Sequence, residues 1–143
     1  MTRHKITAQD LDPQRTLADY IEEKRNEQFV YGLNDCCQFV KEGVERVTGK
    51  PIDISDVGKY STVKEALRVL KKQGGFESLG KKYFGDPIEP TYAQRGDIVL
   101  FNYKDVEAVG LCVGDKIACL DKDGVVFIDL LENAKLAWRI NNG

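Results

Sequence analysis

The chain has 143 residues, with 21 basic and 23 acidic side chains, a formal net charge of −2 and four cysteines. That length suits one domain with its own core, and the balanced charge lacks the basic footprint of a nucleic-acid binder. No apolar run reaches the roughly 18–20 residues that a bilayer span needs, and the opening MTRHKITAQD has no apolar signal core, so the expectation is a chain kept on the cytosolic side.

Asp12-Pro13 pairs a helix N-cap with proline at the first helical position, and Leu17, Tyr20, Ile21 and Lys24 recur at helical spacing. A first helix over 13–28 with a narrow apolar stripe is predicted, after a polar segment 1–12. The stretch YGLNDCCQFV, residues 31–40, opens the second helix. Asp35 is placed to cap it, because a side-chain oxygen there accepts an orphan helix N–H. Cys36, Phe39, Val40, Val44 and Val47 then face one way until Gly49 and Pro51 stop the helix near 48. Thr62 and Glu65 form a capping box for a third helix with Val63, Ala66, Leu67 and Leu70 on its apolar face, ended by Gly74-Gly75. A short fourth helix over 76–83 closes a helical half spanning 13–85. Lys71-Lys72 and Lys81-Lys82 read as solvated faces of these helices.

Beyond Pro90 the pattern changes to strands: 97–102, 108–113, 116–120, 125–130 and 135–140. Turn residues such as Gly114-Asp115 and the 121–124 segment separate several of them. Connections this short predict an antiparallel β-meander over 91–140, since parallel crossovers need about a dozen residues or more. The fold class expected is α+β, with N-terminal helices packed on a five-stranded curled sheet in a single domain, 1–143. Trp138, on the last strand, reads as core packing or as an anchor for a partner protein.

The candidate chemistry centres on Cys36. A helix N-terminus carries partial positive charge, which favours the thiolate. The bland alternative is that Asp35 simply caps and Cys36 fills space between helix and sheet. The four cysteines form no CxxC pair and no standard zinc spacing, so no cofactor and no metal is expected. The competing reading is a redox or metal cluster of Cys36, Cys112 and Cys119. Ala108 and Cys112 are evenly spaced and so share a sheet face, and Cys119 falls on the neighbouring strand.

Three ordered motifs resemble the NlpC-type cell-wall peptidase superfamily, a papain-like group. Tyr31 and Asp35-Cys36 match its nucleophile motif. Arg95-Gly96-Asp97-Ile98-Val99-Leu100-Phe101 matches its Gly-Asp strand. Ala108-Val109-Gly110-Leu111-Cys112-Val113-Gly114 matches its histidine strand in every feature but the histidine. Over nearly the whole length the chain is similar to an uncharacterised family of small tailed-phage and prophage proteins, through Asn34-Asp35-Cys36, Thr48-Gly49, Gly74-Gly75 and Ala137-Trp138-Arg139.

The resemblance implies a papain-like NlpC-type fold, Cys36 as nucleophile or its remnant, and Tyr31 in the cleft. It puts Ala108 at the vacated histidine position, and Cys119, with Asp121 beyond it, near the third polar position. Only one histidine occurs, His4, in the N-terminal segment. A thiol peptidase needs an imidazole that takes the sulfur's proton and returns one to the leaving amine, and Ala108 does neither. The expectation is therefore a non-catalytic phage tail assembly protein at the tail tip or hub, with other tail proteins as partners. It would sit in the host cytoplasm during assembly and then in the virion tail. The alternative is a weak or cofactor-assisted cysteine peptidase or amidase contacting peptidoglycan.

Overall fold

A computed structural model describes residues 13–30, 35–53 and 60–140. Four helices come first: α1 (Pro13–Lys24), α2 (Cys36–Thr48), α3 (Val63–Lys72) and α4 (Phe76–Phe84). A 3-10 turn at Pro90–Tyr92 leads into β1 (Ile98–Tyr103), β2 (Val106–Cys112), β3 (Lys116–Asp121) and β4 (Gly124–Asp129). A single-turn helix, α5 (Leu130–Asn133), precedes β5 (Ala134–Trp138). Helices followed by one five-stranded antiparallel sheet make this an α+β chain, as expected.

The helix boundaries follow the local chemistry. Asp35 accepts from Gln38 N–H at 2.9 Å and opens α2, while Gly49, at φ 73°, closes it with a bond to the Glu45 carbonyl. Thr62 caps α3 by accepting from Glu65 N–H at 3.1 Å. α1 stops four residues before the periodicity predicted. Beyond Lys24 the backbone turns away, and the Arg25 carbonyl accepts from Val125 N–H at 3.0 Å while Phe29 N–H donates to the Lys122 carbonyl at 3.1 Å. Gly124 permits that approach: its φ is 135° and a Cβ there would lie 2.0 Å from the Arg25 oxygen.

The sheet corrects the expected meander. Strands β1 to β4 do follow one another, but the order is β4-β3-β2-β1-β5, so β5 returns to the free side of β1. Its register sets Trp138 opposite Ile98 and Ala137 opposite Val99. The segment near 130, read as the end of a strand, instead forms α5, capped by Asp129 accepting from Glu132 N–H. This turn redirects the chain before β5. β2 begins at Val106, two residues earlier than expected, because Lys104 and Asp105 make a tight hairpin turn with φ of 50° and 64°.

Period-two alternation divides the apolar side chains between the two faces of the sheet. On the helical face Ile98, Leu100, Val109, Leu111 and Trp138 pack with Leu17, Tyr20, Phe39 and Val44 of α1 and α2. Tyr20 donates to the Phe39 carbonyl at 2.6 Å, joining the two helices through a buried bond. Gly43 lets α2 approach β2, since a Cβ there would stand 2.5 Å from the Leu111 side chain. On the opposite face a second cluster gathers Val99, Phe101, Cys112, Ile117, Cys119, Leu130 and Ala137.

Asp97, almost wholly buried, ties the sheet to the C-terminal segment. Its Oδ2 accepts from Gln94 N–H at 2.9 Å and from Arg139 Nε at 3.0 Å, and its Oδ1 accepts from Ile140 N–H at 3.3 Å. Arg139 also donates to the Tyr92 carbonyl at 2.6 Å. In an Asp97→Asn variant one side-chain position would face donors with a donor of its own. Equilibrium denaturation should show a loss of about 2–3 kcal/mol; an unchanged midpoint would contradict the role given to this carboxylate.

Candidate functional site

The site is built where α2 starts against the sheet. β2 and β3 are paired only through Leu111 with Ala118 and Cys112 with Ile117. Toward Val109 and Ala108 the strands part, and the first residues of α2 stand beside the gap. The Val109 backbone faces Cys36 there and acts to lower its thiol's pKa. This contact joins the nucleophile motif to the third motif of the sequence.

Cys36 is half-buried, and its thiol is held below the ordinary cysteine range. The Cys37 S–H bond to its sulfur is the leading cause, reinforced by the Val109 amide, while burial and the Asp35 charge act against them. Cys37 is pushed well up by the same bond and by burial. The two thiols are thus shifted in opposite directions, Cys36 toward easier ionisation and Cys37 away from it. Tyr60 reaches both Asp35 and Cys37 with its hydroxyl, and burial first, then its anionic neighbours, raise its pKa. Asp35 is buried, serving α2 as its cap and Tyr60 as an acceptor.

A groove of about 630 Å³ opens beside these groups. One wall is α3, whose apolar residues Val63, Ala66, Leu67 and Leu70 line the groove; none of the α3 residues is fully buried. Phe76 and Leu79 of α4 continue that wall, and Val106, Glu107 and Ala108 of β2 lie on the sheet side. At one end Tyr103 donates to Asp121 Oδ2 at 2.5 Å, and Lys104 Nζ lies 3.2 Å from the same oxygen. The Tyr103 bond, with the Lys122 amide, holds Asp121 below the usual carboxylate range, and the carboxylate in turn raises Tyr103.

The structure thus brings Asp35, Cys36, Cys37, Ala108 and Asp121 to one groove. It does not bring the cysteines into one cluster. Cys112 and Cys119 lie in the second core, and Ala108 packs against that core, whereas Cys36 packs with the helical face. Cys112 donates to the Gly114 carbonyl at 3.3 Å and is raised by burial. Burial, with Asp121 and Cys36 nearby, pushes Cys119 up to about 12. Among the described residues no group of three or more His, Cys, Asp or Glu side chains is placed to hold a metal ion. Tyr31 and His4 lie outside the described residues.

Sequence reasoning missed Tyr60 and the hydrogen-bonding role of Cys37. No local pattern marks Tyr60, two residues before the α3 cap Thr62. Cys37 was signalled only by its adjacency to Cys36.

The family described as a domain of unknown function (DUF6950) matches residues 10–140, nearly the whole chain. No curated protein matches the sequence. No helix among the described residues is long and apolar enough to cross a membrane.

The division between the two thiols has a direct readout. Iodoacetamide near neutral pH should alkylate Cys36 well ahead of Cys37, Cys112 and Cys119, followed by peptide mass spectrometry. In Cys37→Ala the S–H donor is gone, so the rate–pH profile of Cys36 should move to higher pH. An unmoved profile would remove Cys37 from the account.

Proposed function

We propose that this chain, which belongs to that family, is a non-catalytic phage tail assembly protein on a degenerate papain-like, NlpC-type fold. In this reading it works at the tail tip or hub, with other tail proteins as partners. It is held in the host cytoplasm during assembly and then in the virion tail. The motif order and the resemblance across the whole chain support the tail assignment. The non-catalytic part rests on Ala108. This residue lines the same groove as Cys36, and the sequence resemblance aligns it with the histidine of the resembled peptidases.

The chemistry around Cys36 supports the same conclusion. Amide cleavage needs a proton delivered to the departing nitrogen. Among the described residues, Cys37 and Tyr60 neighbour Cys36, and both are raised and hold their protons near neutrality. Loss of one member of a catalytic triad typically costs orders of magnitude in rate. A second reading, a weak thiol peptidase or amidase on peptidoglycan, is favoured by the lowered Cys36 thiol and the open groove next to it.

The readings separate in phage particles and in the tube. Particles carrying Cys36→Ser should assemble and infect as wild type does, and purified protein should leave peptidoglycan intact. Normal assembly with lost infectivity would overturn the non-catalytic reading. Ala108→His supplies the missing base and acid. Its expected effect is a gain of about 10²–10⁴-fold in peptide hydrolysis, and no gain would count against a peptidase ancestry for the groove.

A further inference from the structure

The α3–α4 segment carries a charge opposite to that of the rest of the molecule. Residues 63–84 hold six basic and two acidic side chains, net +4, so the other residues of this −2 chain carry −6. Within α3, Val63, Leu67 and Leu70 recur at i, i+4 and i+7, and Lys64, Arg68 and Lys71 repeat that spacing one residue on. A basic row therefore lies beside an apolar row along one ten-residue helix. Neither row is spent within the molecule. α3 has no buried residue, and Val63 and Leu67 are 52% and 55% exposed. Val106 of β2, which lines the same groove, is 58% exposed, so the three form an apolar rim at its mouth. Lys64, Arg68, Lys71 and Lys72 are exposed and form no ion pair among the described residues. Outside this segment Lys41, Arg46, Lys104, Lys116 and Lys135 each have a carboxylate partner.

We propose that this face docks on the surface of an anionic phospholipid bilayer, with the apolar row of α3 in the acyl boundary and its basic row at the phosphates. An interfacial helix needs both features side by side, an apolar stripe to sink below the headgroups and cations to meet them. A nucleic acid would use the basic row and leave the apolar rim in water. The binding is peripheral, since no helix among the described residues is long and apolar enough to cross a membrane. Charge also sets the orientation: the −6 remainder is repelled by an anionic surface while the +4 segment is drawn to it. With Val63, Leu67 and Val106 seated in lipid, the mouth of the groove faces the bilayer. This inference goes beyond the tail assignment and stands or falls apart from it.

The experiment is co-sedimentation of the purified full chain with vesicles of phosphatidylcholine alone, or with about one third phosphatidylglycerol. The chain should bind the anionic vesicles only, and release should follow when salt shortens the Debye length to about 3 Å. Replacing Lys64 and Arg68 together by Gln should weaken partitioning by about 25-fold, near fivefold for each cation lost. Removing two charges outside the segment, with Lys50→Gln and Lys116→Gln, should change it by less than about twofold. Leu67→Gln keeps the charge and removes only an exposed apolar side chain, and should cost about tenfold. Far-ultraviolet circular dichroism checks that each variant keeps the wild-type fold. Equal binding to neutral vesicles, full binding by Leu67→Gln, or binding of a DNA duplex in preference to anionic vesicles would each overturn the proposal.

Discussion

The buried carboxylate of Asp97 is the constraint on which the rest of the arrangement depends. It stands at the entry to β1, and three donors converge on it from Gln94, Arg139 and Ile140. Its backbone is engaged as well, with the Cys112 N–H donating to its carbonyl at 2.8 Å. One residue therefore fixes the start of β1, the end of β2 and the segment after β5. Hydrogen bonds to an ionised acceptor are stronger than neutral ones, and a buried carboxylate left short of donors is costly. These requirements favour bringing the C-terminal strand to β1 rather than to β4. Trp138 is then delivered into the helical core, where its indole N–H donates to the Gly85 carbonyl at 3.1 Å.

That sheet order also shapes the site. With β1 held between β2 and β5, β2 is paired along its whole length on one side and only at its end on the other. The unpaired stretch leaves the Val109 backbone facing the α2 N-terminus, where it acts to lower the Cys36 thiol's pKa. The polarity of this thiol is consequently a product of strand separation as much as of helix position. Burial opposes ionisation at all four cysteines, yet only Cys36 has enough donors to end below its ordinary range.

Much of this was legible from local patterns. The Asp35 cap, the Thr62 cap, the Gly49 stop and the five strands follow from capping chemistry and period-two alternation, which act over a few residues. The shared face of Ala108 and Cys112 was legible for the same reason. The position of β5 was not, because its partner is set by Asp97 and Arg139, 42 residues apart in sequence. The early end of α1 was hidden too, since its carbonyls exchange helical bonds for contacts with β4. The Lys104-Asp105 turn lacks the glycine or asparagine that usually announces left-handed backbone. At the site, the motif placed Cys36 correctly at the start of α2. It could not say that the sheet would separate Cys36 from Cys112 and Cys119, because that depends on which face α2 covers.

The link between α1 and β4 has a further consequence. A β-sheet with open outer strands invites another sheet to continue its ladder, and folded chains commonly blunt such margins. Here the main chain after α1 occupies the margin of β4 at Val125, and Ile88 exchanges bonds of 2.7 and 3.0 Å with Ala137 at the margin of β5. The two ends of the ladder are thus partly closed from within the same chain. Edge-to-edge pairing with the sheet of another chain is thereby disfavoured at both ends of the ladder.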